Sequence, residues 1–169
     1  MKSKLFPKWL LLTVGAVFFA NAYATDVVTK PGNYPSRPAG GCAATLTQSP
    51  EGGFLQLSVG QDFNRLTRIA DDITAIAWVA PDLLVYSASP MYGKPGIFLL
   101  KCGDEPKSSV LVPPKHIDRG YPDGTDYFEI HSIDGNHVSY YYAVDVDKAD
   151  FTKLRSTANL RTVELPTAK

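Results

Sequence analysis

The chain has 169 residues and carries 17 basic and 17 acidic side chains, so its formal net charge at neutral pH is zero. It contains no basic block and no arginine-rich stripe, which argues against a nucleic-acid partner. Nor does it contain a basic amphipathic helix that would hold it on a membrane surface.

The N-terminus carries Lys2, Lys4 and Lys8 without an acidic group, followed by the uncharged run Trp9–Ala20 and then Ala22-Tyr23-Ala24. A basic start, an apolar stretch and a small-x-small site are the layout of a secretory signal. The apolar stretch is about a dozen residues, whereas a membrane span needs about 20. Residues 1–24 are therefore expected to be a signal peptide cut after Ala24, leaving a mature chain without a membrane span, periplasmic or secreted. Removing 24 of 169 residues leaves 145, the size of one ordinary domain. Residues 25–41 are rich in Pro, Gly and small polar side chains and read as an extended, poorly ordered lead-in. Residues 42–169 are expected to form a single β-rich domain.

Cys42 and Cys102 are the only cysteines. In an oxidising compartment an isolated pair is most simply a disulfide. Lipidation of Cys42 is the weaker reading, because the residues before it are not an apolar run.

Beyond Cys42 the chain is a series of short β-type runs. Phe54–Val59 and Arg65–Ala70 alternate apolar and polar, whereas Thr74–Ala80, Leu83–Ser89 and Gly96–Cys102 are almost continuously apolar, as for strands buried on both faces. Ser108–Val112, Asp126–Ile133, His137–Val146 and Leu160–Leu165 complete the set, and only Asp147–Ala158 has helical spacing, through Phe151 and Leu154. Turn residues such as Ala80-Pro81-Asp82 and Asp134-Gly135-Asn136 separate these runs.

The stretch Trp78-x-x-Pro81-Asp82-x-Leu84-Val85-Tyr86, followed at Gly96 by Ile97-Phe98-Leu99-Leu100, resembles the repeat of TolB-type β-propellers. In that repeat a Trp-Ser-Pro-Asp-Gly turn precedes an apolar strand. The resemblance runs from Trp78 to Leu100 and implies hairpins of blade type and a binding scaffold. A closed propeller needs four or more blades, more than this chain can supply. The expected fold class is thus mainly β: short antiparallel hairpins of blade type forming a small sandwich or partial-propeller-like domain, with one disulfide.

A three-residue loop Asp134-Gly135-Asn136 would set Phe128 against Tyr142, Ile130 against Tyr140 and Ser132 against Val138, gathering the apolar side chains on one face. The other face then carries Tyr127, Glu129, His131, His137 and Tyr141, with Asp145 beyond, and is expected to be the exposed binding face. Tyrosine is a side chain that recognition surfaces favour, being rigid and amphipathic.

Catalytic and metal motifs are absent: there is no Gly-x-Ser-x-Gly, His-Glu-x-x-His, Gly-x-Gly-x-x-Gly or phosphate loop. His131 and His137 could hold zinc or copper only with a third ligand that the spacing does not supply. His116 beside Asp118 is not a catalytic pair merely through adjacency. Asp145, Asp147 and Asp150 lack the spacing and glycine of a calcium loop. No cofactor is implied. The function expected is that of an exported, non-enzymatic binding protein, an inhibitor or immunity-type protein being a special case. Its partner would be another exported protein or an envelope component. The alternatives are an exported hydrolase whose site is assembled only in the fold, and a structural subunit of an envelope assembly.

Overall fold

A computed structural model describes residues 26–36, 41–50, 54–89, 94–115, 126–144 and 151–166. The expected signal peptide lies outside them, as do His116, Asp118, Asp145, Asp147 and Asp150. Among the described residues no helix is long and apolar enough to cross a membrane.

The protein is mainly β. Seven antiparallel strands follow one another in chain order: β1 (Gly32–Pro35), β2 (Ala43–Gln48), β3 (Leu55–Gly60), β4 (Leu66–Ala80), β5 (Leu83–Ala88), β6 (Gly96–Lys101) and β7 (Lys107–Val112). A second antiparallel sheet has the order β10-β9-β8, from β8 (Tyr127–Asp134), β9 (His137–Ala143) and β10 (Leu160–Glu164). Between β9 and β10 lie one short helix, α1 (Phe151–Leu154), and a 3-10 turn at Thr157–Asn159. Of the helix expected over 147–158, residues 147–150 lie outside the described residues, and the described part holds these two pieces.

The central strands are apolar on both faces because both faces are covered. Leu84, Tyr86, Ala88 and Leu100 face one core with Leu46, Leu57, Val59 and Ile76. Val85, Ile97 and Leu99 face the second core with Phe128, Ile130, Val138 and Tyr140 of the small sheet. Alternate side chains of β5 and β6 therefore belong to different cores, as the period of two dictates.

Two strands expected to be separate, Arg65–Ala70 and Thr74–Ala80, are one bent strand. Register shifts interrupt the β3–β4 pairing between Leu55/Ile73 and Leu57/Ala70, and Asp72 adopts φ 53°, uncommon for a residue with a side chain. Extra residues at such a bulge bend the strand and raise its twist. Past the bend, Ile76 exchanges two 2.9 Å backbone hydrogen bonds with Val28, and Trp78 Nε1 donates to the Tyr34 carbonyl at 3.0 Å. Within the segment expected to be a poorly ordered lead-in, the residues between Val28 and Ser36 are paired into the sheet. Strand β1 bonds β2 while the segment before it bonds β4, so this end of the sheet closes into a ring of strands.

The expected disulfide joins Cys42, just before β2, to Cys102, just after β6, across a Cα–Cα distance of 6.3 Å. In a flat sheet four strand spacings would hold these ends about 19 Å apart. The difference measures how far the sheet has rolled.

At the β3–β4 turn, Asn64 N–H donates to Asp62 Oδ1 at 2.8 Å, and a Cβ on Gly60 would stand 1.8 Å from the Arg65 carbonyl oxygen. Backbone here passes where any side chain would sit. Gly60→Ala should cost about 2–3 kcal/mol, as overpacking does, read as a lower urea midpoint. An unchanged midpoint would mean the turn can open at no cost.

The small sheet docks through hydrogen bonds as well as through its apolar face. Phe128 N–H donates to Ser89 Oγ at 2.8 Å and Ile130 N–H to Ser87 Oγ at 3.1 Å. Thr74 Oγ1 donates to the Phe128 carbonyl at 2.6 Å. Edge groups of β8 that lack a neighbouring strand are thus satisfied by hydroxyls projecting from β4, β5 and the residue after β5, as buried polar groups require.

Candidate functional site

The β8–β9 hairpin pairs Phe128 with Tyr142 and Ile130 with Tyr140, as the apolar pattern predicts. Its loop is shorter than expected. Asp134 pairs with His137, leaving Gly135-Asn136 as a two-residue turn with Gly135 at φ 57°. A register shift between Ile130 and Ser132 absorbs the difference, so Ser132 faces Ser139 rather than Val138, and Ile133 faces Val138. One bulge at His131 and one residue fewer in the turn cancel. Both halves of the hairpin therefore keep their apolar residues inward: Phe128, Ile130, Ile133, Val138, Tyr140 and Tyr142 all join the second core.

Of the residues expected on the outer face, two are not exposed. Tyr127 and Glu129 are buried, at 5% and 6% of their full accessibility. From the connection between β9 and β10, in which Leu154 is buried, Arg155 reaches back to β8. Arg155 Nε donates to both Glu129 carboxylate oxygens, at 2.9 and 3.2 Å, and the Tyr127 hydroxyl donates to the same carboxylate. A buried carboxylate needs such partners to stay charged. Burial first, and then the hydrogen bond to Glu129 and its charge, push the Tyr127 phenol far above its ordinary value, so it remains a donor. Asn159 secures the connection by donating to the Lys153 and Leu154 carbonyls at 3.2 and 3.1 Å.

The rest of the face is open. His131 and His137 are exposed and Tyr141 is half-exposed. The rings of His131 and Tyr141 lie 5.0 Å apart, with the Tyr141 hydroxyl 3.3 Å from His131 Nδ1. His137 turns elsewhere, to Glu164 of β10, at 3.3 Å; an exposed pair of this kind contributes little stability. The two histidines thus have different partners, and among the described residues no three of His, Cys, Asp and Glu are grouped as metal ligands would be.

Arg155 was not foreseen as a site residue. Its partner is 26 positions away, and the signal was indirect: a basic residue directly after Leu154, facing a strand that carries an isolated Glu129. Away from this face, a depression of about 190 Å³ lies between Gln61, Arg65, Thr67 and Asp104. It is smaller than the pockets that enclose small ligands, and neither described histidine lines it.

Compared with known family models, curated proteins and solved structures, the chain matches none. Its chemistry therefore has to be read from its own residues.

Beneath the open face, Asp126 is fully buried and accepts hydrogen bonds from the Lys115 backbone N–H at 2.7 Å and the Tyr142 hydroxyl at 3.2 Å. Burial, and then the Asp126 carboxylate, push the Tyr142 phenol up to about 12. The fold thus favours neutral Tyr142, and its contribution to stability is complete below the unfolded value of about 10. It is lost as pH rises from there through about 12. Thermal melts across that window should fall more steeply for the wild type than for Tyr142→Phe. Parallel curves would remove Tyr142 as a cause.

Adjacent tyrosines give a second test. Tyr142→Ala should cost about 2–3 kcal/mol, since it empties space in a packed core against Phe128, whose ring lies 5.1 Å from its own. Tyr141→Ala should cost less than about 1 kcal/mol, as a surface substitution. Chemical denaturation of the two variants checks the face assignment.

Proposed function

We propose that this chain is an exported, non-enzymatic binding protein, and that it meets its partner through the open part of the small sheet, centred on Tyr141 and His131. What supports the reading above all is the construction of that face. A half-exposed tyrosine stands on a strand paired on both sides, its ring tilted against that of a histidine, beside the buried Tyr127 and Glu129 and the Arg155 bound to them. Such a surface loses little conformational freedom on binding, and rigid aromatic side chains are the residues on which interfaces most often depend. The disulfide is in keeping with an oxidising compartment, where a partner would be another exported protein or an envelope component. Inhibition of an enzyme in that compartment is the special case.

The test is capture from envelope extract with the immobilised mature protein. Tyr141→Ala should weaken the captured complex by about 1–2 kcal/mol or more, whereas Thr47→Ala, exposed on β2, should leave it unchanged. A complex indifferent to Tyr141→Ala, or no complex at all, would overturn the proposal.

A further inference from the structure

We infer that Arg155, Tyr141 and His131 form a recognition site for a carboxylate side chain of the protein partner. This rests on reading the face as a binding surface and names the chemistry that it would take. A guanidinium has five N–H groups, and both Glu129 oxygens share the Nε–H of Arg155. Among the described residues the Tyr127 hydroxyl is the other group close enough to share an Arg155 N–H, and the side chain is 53% exposed.

The guanidinium is also held in place. Glu129 is itself fixed by burial and by the Tyr127 hydroxyl, so the exposed end of Arg155 is oriented before any ligand arrives. Tyr141 is the direct cross-strand partner of Glu129, and side chains so placed are neighbours on one face. His131 follows it, through its ring contact with Tyr141. The face therefore offers a planar fork, a phenol and an imidazole in sequence.

The class of ligand follows from charge and shape. Coplanar guanidinium N–H groups match the two oxygens of a carboxylate. Because Glu129 already balances part of the Arg155 charge, a monoanion is accommodated better than a dianion such as phosphate. The site lies on an open face, so the carboxylate alone would bind weakly, and the protein carrying it would have to supply the remaining contact.

The experiment is an NMR titration of the labelled mature protein with the α-amide of N-acetylglutamate, whose single charge is its side-chain carboxylate, followed at the Arg155 Nε–H and at the Tyr141 and His131 rings. Saturable shifts at all three groups are expected, with a dissociation constant on the order of millimolar, and the uncharged α-amide of N-acetylglutamine should give none. Arg155→Lys should weaken the response about tenfold, since it keeps the charge and loses the fork. Unchanged core resonances of Val138 and Tyr140 would show that this variant is folded. Should it unfold, Tyr141→Phe, which removes one donor, should weaken binding several-fold instead. No shift with the N-acetylglutamate α-amide overturns the site, and so does tighter binding of inorganic phosphate. Tyr141-dependent capture without a response to that amide would sink the carboxylate assignment alone. A normal response with capture indifferent to Tyr141 would sink the partner surface and keep the site.

Discussion

Replacing Cys42 and Cys102 together by alanine will lower the stability of the fold by about 4 kcal/mol, the chain-entropy value for closing a loop of this size. The cross-link spans 60 residues, so it removes much freedom from the unfolded chain. It also acts at a place with few substitutes. Strands β2 and β6 are not neighbours in the sheet, and the nearby tie is a 2.6 Å hydrogen bond from Gln61 Nε2 to Asp104 Oδ1 on the exposed surface. Both sulfurs are buried, so neither gains from solvation in the folded state. The loss should appear as a melting temperature lower by about 10–15 °C for a domain of this length. Thiol titration of the native protein should find no free thiol. A loss below about 1 kcal/mol would mean that the roll of the sheet is fixed by its own twist and packing.

Phe128→Ala will be comparably damaging, at about 4–5 kcal/mol, the upper part of the range for a buried aromatic. Phe128 is only 1% exposed and heads the fully buried side chains by volume. Cavities cost most where the surroundings cannot relax into them. Here the backbone of Phe128 is held at both its N–H and its carbonyl, by Ser89 and Thr74. Tyr140 and Tyr142 flank the ring at 6.1 and 5.1 Å, and both belong to a strand paired on each side. Ser89→Ala should cost less, about 1–3 kcal/mol, for leaving a buried N–H without its acceptor. Equilibrium unfolding of the two variants tests the ranking. If Phe128→Ala were the milder change, the two sheets would have to be sliding together to fill the space.

Much of this architecture can be read in the chain. Runs apolar on both faces mark β4, β5 and β6 because only a covered strand can afford them, and the pairing of Phe128 with Tyr142 follows from keeping large side chains on one side. Strands β1 and β2 were not read individually. Gly32-Asn33-Tyr34-Pro35 contains three residues that disfavour strands, and Pro35 is tolerated at the end of an edge strand. Ala43–Gln48 offers alanine and threonine where bulky residues would have signalled a core. The bulge at His131 left no trace because the shorter turn compensates for it. The greater gap concerns the site. Tyr127 and Glu129 alternate with core residues as outward residues should, so period alone placed them in solvent. Arg155 reaches Glu129 from 26 positions away, a placement set by tertiary packing, and no local pattern encodes that.

The hydroxyl contacts along β8 have a further consequence, for how motion within the molecule could be observed. The amide protons of Phe128 and Ile130 are capped by Ser89 and Ser87 rather than by another strand. Exchange at these two sites then requires only that the layers part, with the hairpin of β8 and β9 intact. Amides within the β8–β9 ladder exchange only when the hairpin itself opens. Comparing the two classes separates breathing between the sheets from unfolding within them, in the unmodified protein and without a probe.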